Sequence, residues 1–251
     1  MCERLPLGEQ WPLTKENDRS TFAAMDKLSA RVAATECNTD TKPPGPRERL
    51  LDAAEALIYS GGIHATGVDA IVRAAQATRK SFYSYFESKD ALVAAALARR
   101  HERWMNWFEH GTLRKGKTPR TQLLGMFDVL REWFVSPGFH GCAFLNAAGE
   151  IACPDDPIRI VARDHKAALL RFIDERCNAF AREVHGMDAR QAAALARQWL
   201  LLVDGAIGVA LVSGSADAAR DAKAAAQRLL DHAVSSSHPR ASKGKPSTSS
   251  N

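Results

Sequence analysis

The sequence predicts an all-α fold of about nine helices, and three observations support this prediction. Alanine is abundant, and aromatic residues make up only 7% of the 251 residues, a composition that favours helices over strands. Apolar residues recur at the three- and four-residue spacing of helices along most of the chain. No convincing alternation of apolar and polar residues and no Asn-Gly hairpin turn indicates a β-sheet.

The first predicted helix covers residues 47–60. Leu50, Leu57 and the other apolar residues of this segment form one stripe along the helix. Gly61-Gly62 follows, and we expect the helix to end there because glycine adopts the left-handed C-terminal conformation without steric cost.

Two further short helices are predicted downstream. Thr66 is followed three residues later by Asp69, a pattern that begins a helix because both side chains can satisfy free backbone amides. Gln76-Ala77 forms the next turn, and we expect the hydroxyl of Thr78 to cap the third helix.

The third predicted helix is short, basic and aromatic. Phe82 and Phe86 lie four residues apart and are expected to face the core. The remaining side chains on or beside this helix are free to face outward: Arg79, Lys80, Ser81, Tyr83 and Tyr85. Such a helix suits a DNA groove better than a protein interior, and the order of helix, helix, tight turn and helix is that of a helix-turn-helix unit.

At this point the sequence resembles the N-terminal domain of the tetracycline-repressor (TetR) family of regulators. The resemblance rests on three segments: RERLLDAA at 47–54, the glycine at 62 before ATGVDAIV at 65–72, and FYSYFESKDAL at 82–92. The chain departs from the family at Gln76, where a glycine usually serves a turn with positive φ. If Gln76 adopts that conformation, the expected cost is about 1 kcal/mol.

The resemblance implies a set of contacts with double-stranded operator DNA. We expect Arg79, Lys80, Ser81 and Tyr83 to approach base edges. We expect Tyr85, Thr66 and Lys89 to contact phosphates, the last two because each lies at a predicted helix N-terminus. The net charge is only +5, so DNA affinity must come from the local placement of charge and not from a uniformly basic domain.

Residues 46–92 are therefore predicted to be a helix-turn-helix DNA-binding domain, and residues 93–234 a helical ligand-binding and dimerisation domain. Six helices are expected in the second part, with the first ending at Gly111. Several large apolar residues in the second part could line a pocket for a small-molecule effector: Trp107, Phe127, Trp133 and Phe144, with Asn146 or His165 as the polar anchor. The alternative is that these aromatic residues simply form the core.

The last two predicted helices indicate a homodimer. They carry more apolar surface than one thin helical layer can cover, and small residues such as Ala206 and Gly208 allow close helix packing. A four-helix bundle between two copies would bury this surface and place two recognition helices about 34–36 Å apart, one turn of DNA.

Both ends of the chain are predicted to be disordered. Residues 1–45 are polar and rich in proline, and residues 235–251 are rich in serine and proline. The start lacks the basic-then-apolar pattern of a secretory signal, and no apolar run approaches the ~20 residues of a membrane span. We expect a cytoplasmic protein with no membrane association.

We expect a ligand-responsive repressor that a small molecule releases from its operator; the alternatives are a ligand-independent architectural DNA-binding protein and an all-helical enzyme. Neither a cofactor nor a metal is expected, since the five cysteines form no CxxC pair or zinc-like cluster. Cys142 is predicted to be a buried residue and not a reactive thiol. Common catalytic motifs are absent, which disfavours an all-helical enzyme. A ligand-independent architectural DNA-binding protein would not need so large a second domain.

Overall fold

The structure is a computed structural model that describes residues 44–184 and 186–236. These residues form nine α-helices and no strand, which confirms the predicted fold class. The helices are α1 (Pro46–Gly61), α2 (Val68–Ala74), α3 (Arg79–Tyr85), α4 (Lys89–Arg114), α5 (Pro119–Phe134), α6 (Ala143–Glu150), α7 (Pro157–Glu183), α8 (Ala189–Ser213) and α9 (Asp217–Ser236). The predictions of disorder for 1–45 and 235–251 fall almost entirely outside the described residues.

Helices α1, α2 and α3 and the start of α4 surround a first small core. Leu50, Ile71, Phe82 and Leu92, one from each helix, are fully buried in it. The apolar stripes predicted from the sequence therefore meet in one cluster, which holds the short α3 in place by its inner side.

Of the two helix starts predicted at Thr66 and Thr78, one is confirmed and one is wrong. The side chain of Thr78 accepts a hydrogen bond from the amide of Ser81 at the start of α3, as predicted. The prediction that Thr66 opens α2 is wrong, because Gly67 is the residue before the helix and no side chain caps it. Instead, the buried hydroxyl of Thr66 donates to the carbonyl of Gly62 at 2.7 Å, satisfying a backbone oxygen at the end of α1.

The turn between α2 and α3 has the strained conformation that the family resemblance implied. Gln76 has a φ of 48°, the one positive φ among the non-glycine residues that the structure describes. A side chain with a β-carbon is disfavoured there, so this position costs stability where glycine would not.

Helix α4 runs from the first core into the second part of the protein. Its predicted end at Gly111 is wrong, because the helix continues to Arg114. Gly111 is buried, and a β-carbon there would lie 3.1 Å from both γ-carbons of Val129 in α5. The glycine therefore lets α4 and α5 approach closely and does not end the helix.

Helices α4 to α9 surround a second, larger core that includes Phe108, Leu130, Leu169 and Trp199. Helix α8 is also long and apolar enough to cross a membrane by length and composition, although its sequence contains no uninterrupted apolar run of that length. Its inner side buries Trp199, Val203 and Ile207 among the other helices. One such helix is weak evidence for a membrane span, since core helices pass the same test.

Candidate DNA-binding surface and effector region

The outward side of α3 carries most of the residues predicted to contact DNA. Phe82 on the inner side is fully buried, which fixes the orientation of the helix. On the outer side, Tyr83 and Tyr85 are 59% and 46% exposed. Lys80 is exposed and has no ion-pair partner among the residues that the structure describes. The helix therefore presents an open surface that is basic and aromatic.

Arg79 and Ser81 lie in the first turn of α3. Ser81 is half-buried, whereas Arg79 is exposed and paired with Asp69 of α2. The Nε atom of Arg79 donates to Oδ1 of Asp69 at 2.7 Å, and Nη2 donates to Oδ2 at 2.6 Å. These hydrogen bonds hold the pKa of the Asp69 carboxyl below its usual range. The pair ties the start of α3 to the start of α2.

Two residues predicted to contact phosphates have partners inside the protein. Lys89 donates through Nζ to the carbonyl oxygens of Ile63 at 2.9 Å and of Thr66 at 3.3 Å. Thr66 is itself only 5% exposed, and its hydroxyl is engaged by Gly62. Both side chains therefore hold the loop between α1 and α2.

A carboxylate from the second part of the protein also holds this loop. Oε1 of Glu150, the last residue of α6, accepts from the amide of Ile63 at 2.9 Å. Oε2 accepts from the amide of His64 at 2.8 Å and lies 3.1 Å from its Nδ1 atom. Burial raises the pKa of Glu150, but these hydrogen bonds lower it more, so the net shift is downward. With 86 residues between the partners, no sequence pattern indicated this contact.

The turn before α6 is joined to α1 by a second set of hydrogen bonds. The hydroxyl of Tyr59 donates to the carbonyl of Gly141 at 2.9 Å and accepts from the amide of His140 at 3.0 Å. Burial raises the pKa of Tyr59, so the hydroxyl keeps its proton. Together with Glu150, these bonds attach both ends of α6 to α1 and to the loop that follows it.

Helices α1 and α4 are joined by an ion-pair cluster centred on Glu55. Oε1 of Glu55 accepts from Nη1 of Arg100 at 3.0 Å and also from Arg103, while Oε2 lies 3.5 Å from Nη2 of Arg99. The side chains of Glu55 and Arg100 are each only 11% exposed. Arg100 also lies over the ring of Tyr59, 3.8 Å from its centroid. The pair of Glu55 and Arg100 is thus largely shielded from water, whereas the side chain of Arg103 is half exposed.

The aromatic residues predicted to line a pocket are mostly packed in the second core. Trp104 joins several of them, since its ring centroid lies 6.0 Å from Trp107, 5.9 Å from Trp133 and 5.1 Å from His165. Phe144 of α6 stacks on His165 with centroids 3.6 Å apart. The structure brings these predicted residues into one group.

Phe127 and Asn146 lie apart from that group. The ring of Phe127 is 1% exposed and contacts Trp199 of α8, with centroids 5.6 Å apart. Asn146 is exposed, and its side-chain amide donates to the carbonyl of His140 at 2.9 Å. Phe127 has the position of a core residue, and the amide of Asn146 is engaged by the turn before α6.

A small cavity lies between α1, α4 and α6. Its volume is about 20 Å³, room for roughly one water molecule. Glu55, Tyr59, Arg100, Asn146 and Glu150 are among the residues that line it, but its wall is almost entirely apolar. The cavity is too small for an organic molecule as it stands.

His165 is the buried polar residue at the centre of the aromatic group. It is 1% exposed, and its Nδ1 atom lies 3.0 Å from Nδ1 of His101. Burial, together with the nearby positive charge of Lys166, lowers the pKa of His165 to about 2. The imidazole is therefore neutral at physiological pH, so one ring of the pair donates and the other accepts.

We expect this histidine to make stability depend on pH. The folded pKa of His165 lies below its unfolded value of 6.5, so acid protonates the unfolded chain first. The stabilising contribution is complete above pH 6.5 and is lost as the pH falls towards 2. Between pH 6.5 and 5, the free energy of unfolding should fall by about 2 kcal/mol more than in a His165→Gln variant. Denaturant titrations at both pH values measure this; equal losses in the two proteins would contradict it.

The outward side of α8 is apolar and has no partner among the described residues. Leu201 is 73% exposed and Val212 is 89% exposed. Gly205 and Gly208 lie between them on the same side, and a β-carbon on either would meet nothing within 4 Å. Ala206, which the sequence analysis placed in a dimer interface, is instead 3% exposed in the core of this chain. The outward side of α8 is thus apolar and open, and Ala206 lies on the opposite, buried side.

Comparison with known proteins agrees with this architecture. The family model described as bacterial regulatory proteins, tetR family, matches residues 50–96, which include α2 and α3 and parts of α1 and α4. An uncharacterized HTH-type transcriptional regulator in the lacX 3' region of Lactococcus lactis subsp. lactis is 26% identical over 114 residues. That match covers 45% of this chain and 58% of the relative, so the chain spans little more than half the length of this curated relative.

Solved structures match over a longer part of the chain. A protein described as a TetR transcriptional regulator from Streptomyces avermitilis is 32% identical, with a TM-score of 0.65, and the match covers 76% of this chain and 98% of that one. A TetR-family transcriptional regulator from Streptomyces coelicolor is 26% identical, with a TM-score of 0.68, over 75% of this chain and 96% of that one. The chain belongs to the TetR family of bacterial regulatory proteins.

Proposed function

We propose that this regulator is a repressor that binds an operator in double-stranded DNA as a homodimer and is released by a small-molecule effector. The observation that supports DNA recognition best is the position of α3. Phe82 anchors its inner side, while Lys80, Tyr83 and Tyr85 remain open to a partner. A rigid helix with free donors and aromatic rings is suited to the major groove.

The proposed contacts divide between bases and backbone. Arg79, Lys80, Ser81 and Tyr83 would approach base edges, and Tyr85 would contact a phosphate. Thr66 and Lys89 would act at the same surface, and their hydrogen bonds within the loop after α1 suggest that they shape the backbone that faces the phosphates. We propose that 46–92 serves DNA binding and 93–234 serves sensing and dimerisation; the two buried cores support this division in part, since the larger core also includes Tyr59 and Ile63.

The effector would act where α6 packs on α7. Trp107, Trp133, Phe144 and His165 are the proposed site; because Phe144 stacks on His165 with centroids 3.6 Å apart, a molecule bound between these two rings would have to separate them. Phe127 and Asn146 would contribute less directly, by packing and by holding the turn before α6.

Displacement of α6 would alter the contacts that hold the loop after α1, next to the proposed DNA-binding surface. The residue at its C-terminal end, Glu150, accepts from the amides of Ile63 and His64 in the loop after α1. If the effector moves α6, it strains or breaks these bonds. It must then bind the DNA-incompetent arrangement more tightly, by about 1–3 kcal/mol for a typical coupling.

Selection from a random duplex library by the purified full-length protein tests the proposed DNA recognition. We expect a palindromic site, and we expect Lys80→Ala to change the selected bases or to weaken binding to the selected site by about 5- to 150-fold. Lys117→Ala is the matched control, since Lys117 is an exposed lysine in the loop between α4 and α5. A wild-type protein that selects no sequence would refute the proposal.

Release from the selected duplex by a small-molecule library then tests the proposed effector site. Compounds that release the wild-type protein should act more weakly on Phe144→Leu, and quenching of the tryptophans would report their entry. Two other function classes remain as outcomes. Sequence-selective binding that no compound affects would favour an architectural protein, and turnover of a compound by the protein alone would favour an enzyme.

A further inference from the structure

The ion pair between Arg79 and Asp69 is unusual in its position. Both side chains are largely exposed, at 68% and 64%, although each makes two short hydrogen bonds with the other. Exposed pairs add little to stability because water competes for both charges. This pair joins the starts of α2 and α3, on the side of the helix-turn-helix unit that faces outward. A contribution to folding stability therefore does not explain why Arg79 and Asp69 are paired in this geometry.

The hydrogen bonds leave a defined set of donors on Arg79. A guanidinium group has five N–H donors in one plane. Asp69 takes the Nε donor and one donor of Nη2, so the second Nη2 donor and both Nη1 donors stay free. The free Nη1 and Nη2 donors lie side by side at the far end of the group, away from the carboxylate. The carboxylate thus fixes the plane and the direction of the unused end.

Two adjacent coplanar donors match one base edge better than the others. In the major groove, guanine presents two acceptors, O6 and N7, to a bidentate arginine. Adenine presents an acceptor beside an amino donor, cytosine an amino donor, and thymine one acceptor beside a methyl group. Among the four base edges, therefore, only guanine can accept from both end donors of an Arg79 side chain that Asp69 holds in place.

We propose that Asp69 is a positioning residue that orients Arg79 to read a guanine in the major groove of each operator half-site. This inference rests on the proposed DNA-binding function. Asp69 touches no base; it acts through Arg79. Its negative charge opposes binding to any phosphate backbone, so the pair favours discrimination over bulk affinity.

Removing the negative charge of Asp69 distinguishes a positioning role from a purely electrostatic one, because the two roles predict different changes in DNA binding. Asp69→Asn removes a negative charge from the DNA-facing side, so a purely electrostatic role predicts tighter binding to every duplex. A positioning role predicts instead that the variant loses preference for guanine, because an amide accepts through one oxygen only. Since both residues are exposed, the variant should fold as the wild type does, which circular dichroism and thermal unfolding verify.

The experiment is a comparison of full-length wild-type protein with Asp69→Asn, Arg79→Ala and Glu87→Gln. Glu87 is an exposed acid just after α3, so Glu87→Gln is matched in charge change but leaves the Arg79 pair intact. Each protein is titrated with the duplex that the wild type selects and with a duplex carrying adenine at the symmetric guanine positions. We expect wild-type and Glu87→Gln proteins to prefer guanine by about 5- to 150-fold per position. We expect Arg79→Ala to lose this preference, and Asp69→Asn to reduce it roughly fivefold without weaker binding to an unrelated duplex.

Base analogues identify the edge that is read. Inosine keeps O6 and N7 but lacks the minor-groove amino group, so it should bind as guanine does; 7-deazaguanine lacks N7 and should bind as weakly as adenine. If the wild-type protein selects no DNA sequence, the proposed function fails and this inference fails with it. If it selects a sequence with no guanine that depends on Arg79, or if Asp69→Asn keeps the full preference, the inference alone is overturned.

Discussion

Replacing Glu55 with alanine is expected to lower the free energy of unfolding by about 3–5 kcal/mol. Arg100, its principal partner, is 9% exposed, and its guanidinium donates to Glu55 at 3.0 Å while lying over the ring of Tyr59. Removal of the carboxylate leaves the buried guanidinium of Arg100 with the ring of Tyr59 but without an ion-pair partner among the described residues. Chemical denaturation followed by circular dichroism measures the loss.

A variant of a more exposed acid in the same cluster provides the control. Glu48 contacts Arg99 at 3.1 Å, but its side chain is 46% exposed, so Glu48→Ala should cost less than about 1 kcal/mol. Glu55→Gln should fall between the two, because the amide keeps an acceptor for Arg100 but not the charge. Equal effects of Glu55→Ala and Glu48→Ala would show that Arg100 finds water or another partner when Glu55 is absent.

The Glu55 cluster also shows which kind of contact could not be predicted from the sequence. Local patterns placed the helices well, because caps such as Thr78 and apolar spacing act over a few residues. The positive φ of Gln76 agrees with what the family resemblance implied for this turn. Contacts between distant segments carry no such periodic signal, so neither the three arginines on Glu55 nor the hydrogen bonds from Glu150 to the loop after α1 were anticipated.

The errors have physical causes of the same kind. Gly111 was expected to end α4 because glycine favours helix ends, but the close approach of Val129 explains why a glycine lies within the helix. Threonine is a residue type that often caps helices, yet the hydroxyl of Thr66 donates a hydrogen bond to the carbonyl of Gly62. The aromatic residues could be grouped by composition, but only packing distinguishes Phe127, which contacts Trp199, from Phe144, which stacks on His165.

The outward side of α8 leads to the second large expected effect, which concerns assembly. Replacing Val209 and Val212 with aspartate together should convert the proposed dimer to a monomer. These side chains are 57% and 89% exposed in the single chain, so the folded monomer loses little packing when they change. In a dimer they would be buried, and four carboxylates brought together without partners would oppose association. Sedimentation at micromolar concentration measures the assembly state.

The same variant should lose operator affinity although its DNA-binding surface is intact. Two linked recognition helices gain about 10²- to 10⁴-fold over one, because the second contact forms within a complex that already exists. We therefore expect at least about a hundredfold weaker binding to the selected palindrome, and little change on a duplex that carries one half-site. Val135→Asp, at a valine that is 65% exposed outside α8, is the control for adding a surface charge.

Because Gly208 faces open space and Ala206 faces the core, Gly208→Arg should likewise separate the copies, whereas Ala206→Arg should unfold the chain. A wild-type protein that sediments as a monomer, or an aspartate variant that still binds the palindrome as tightly as the wild type, would rule out α8 as the dimer interface.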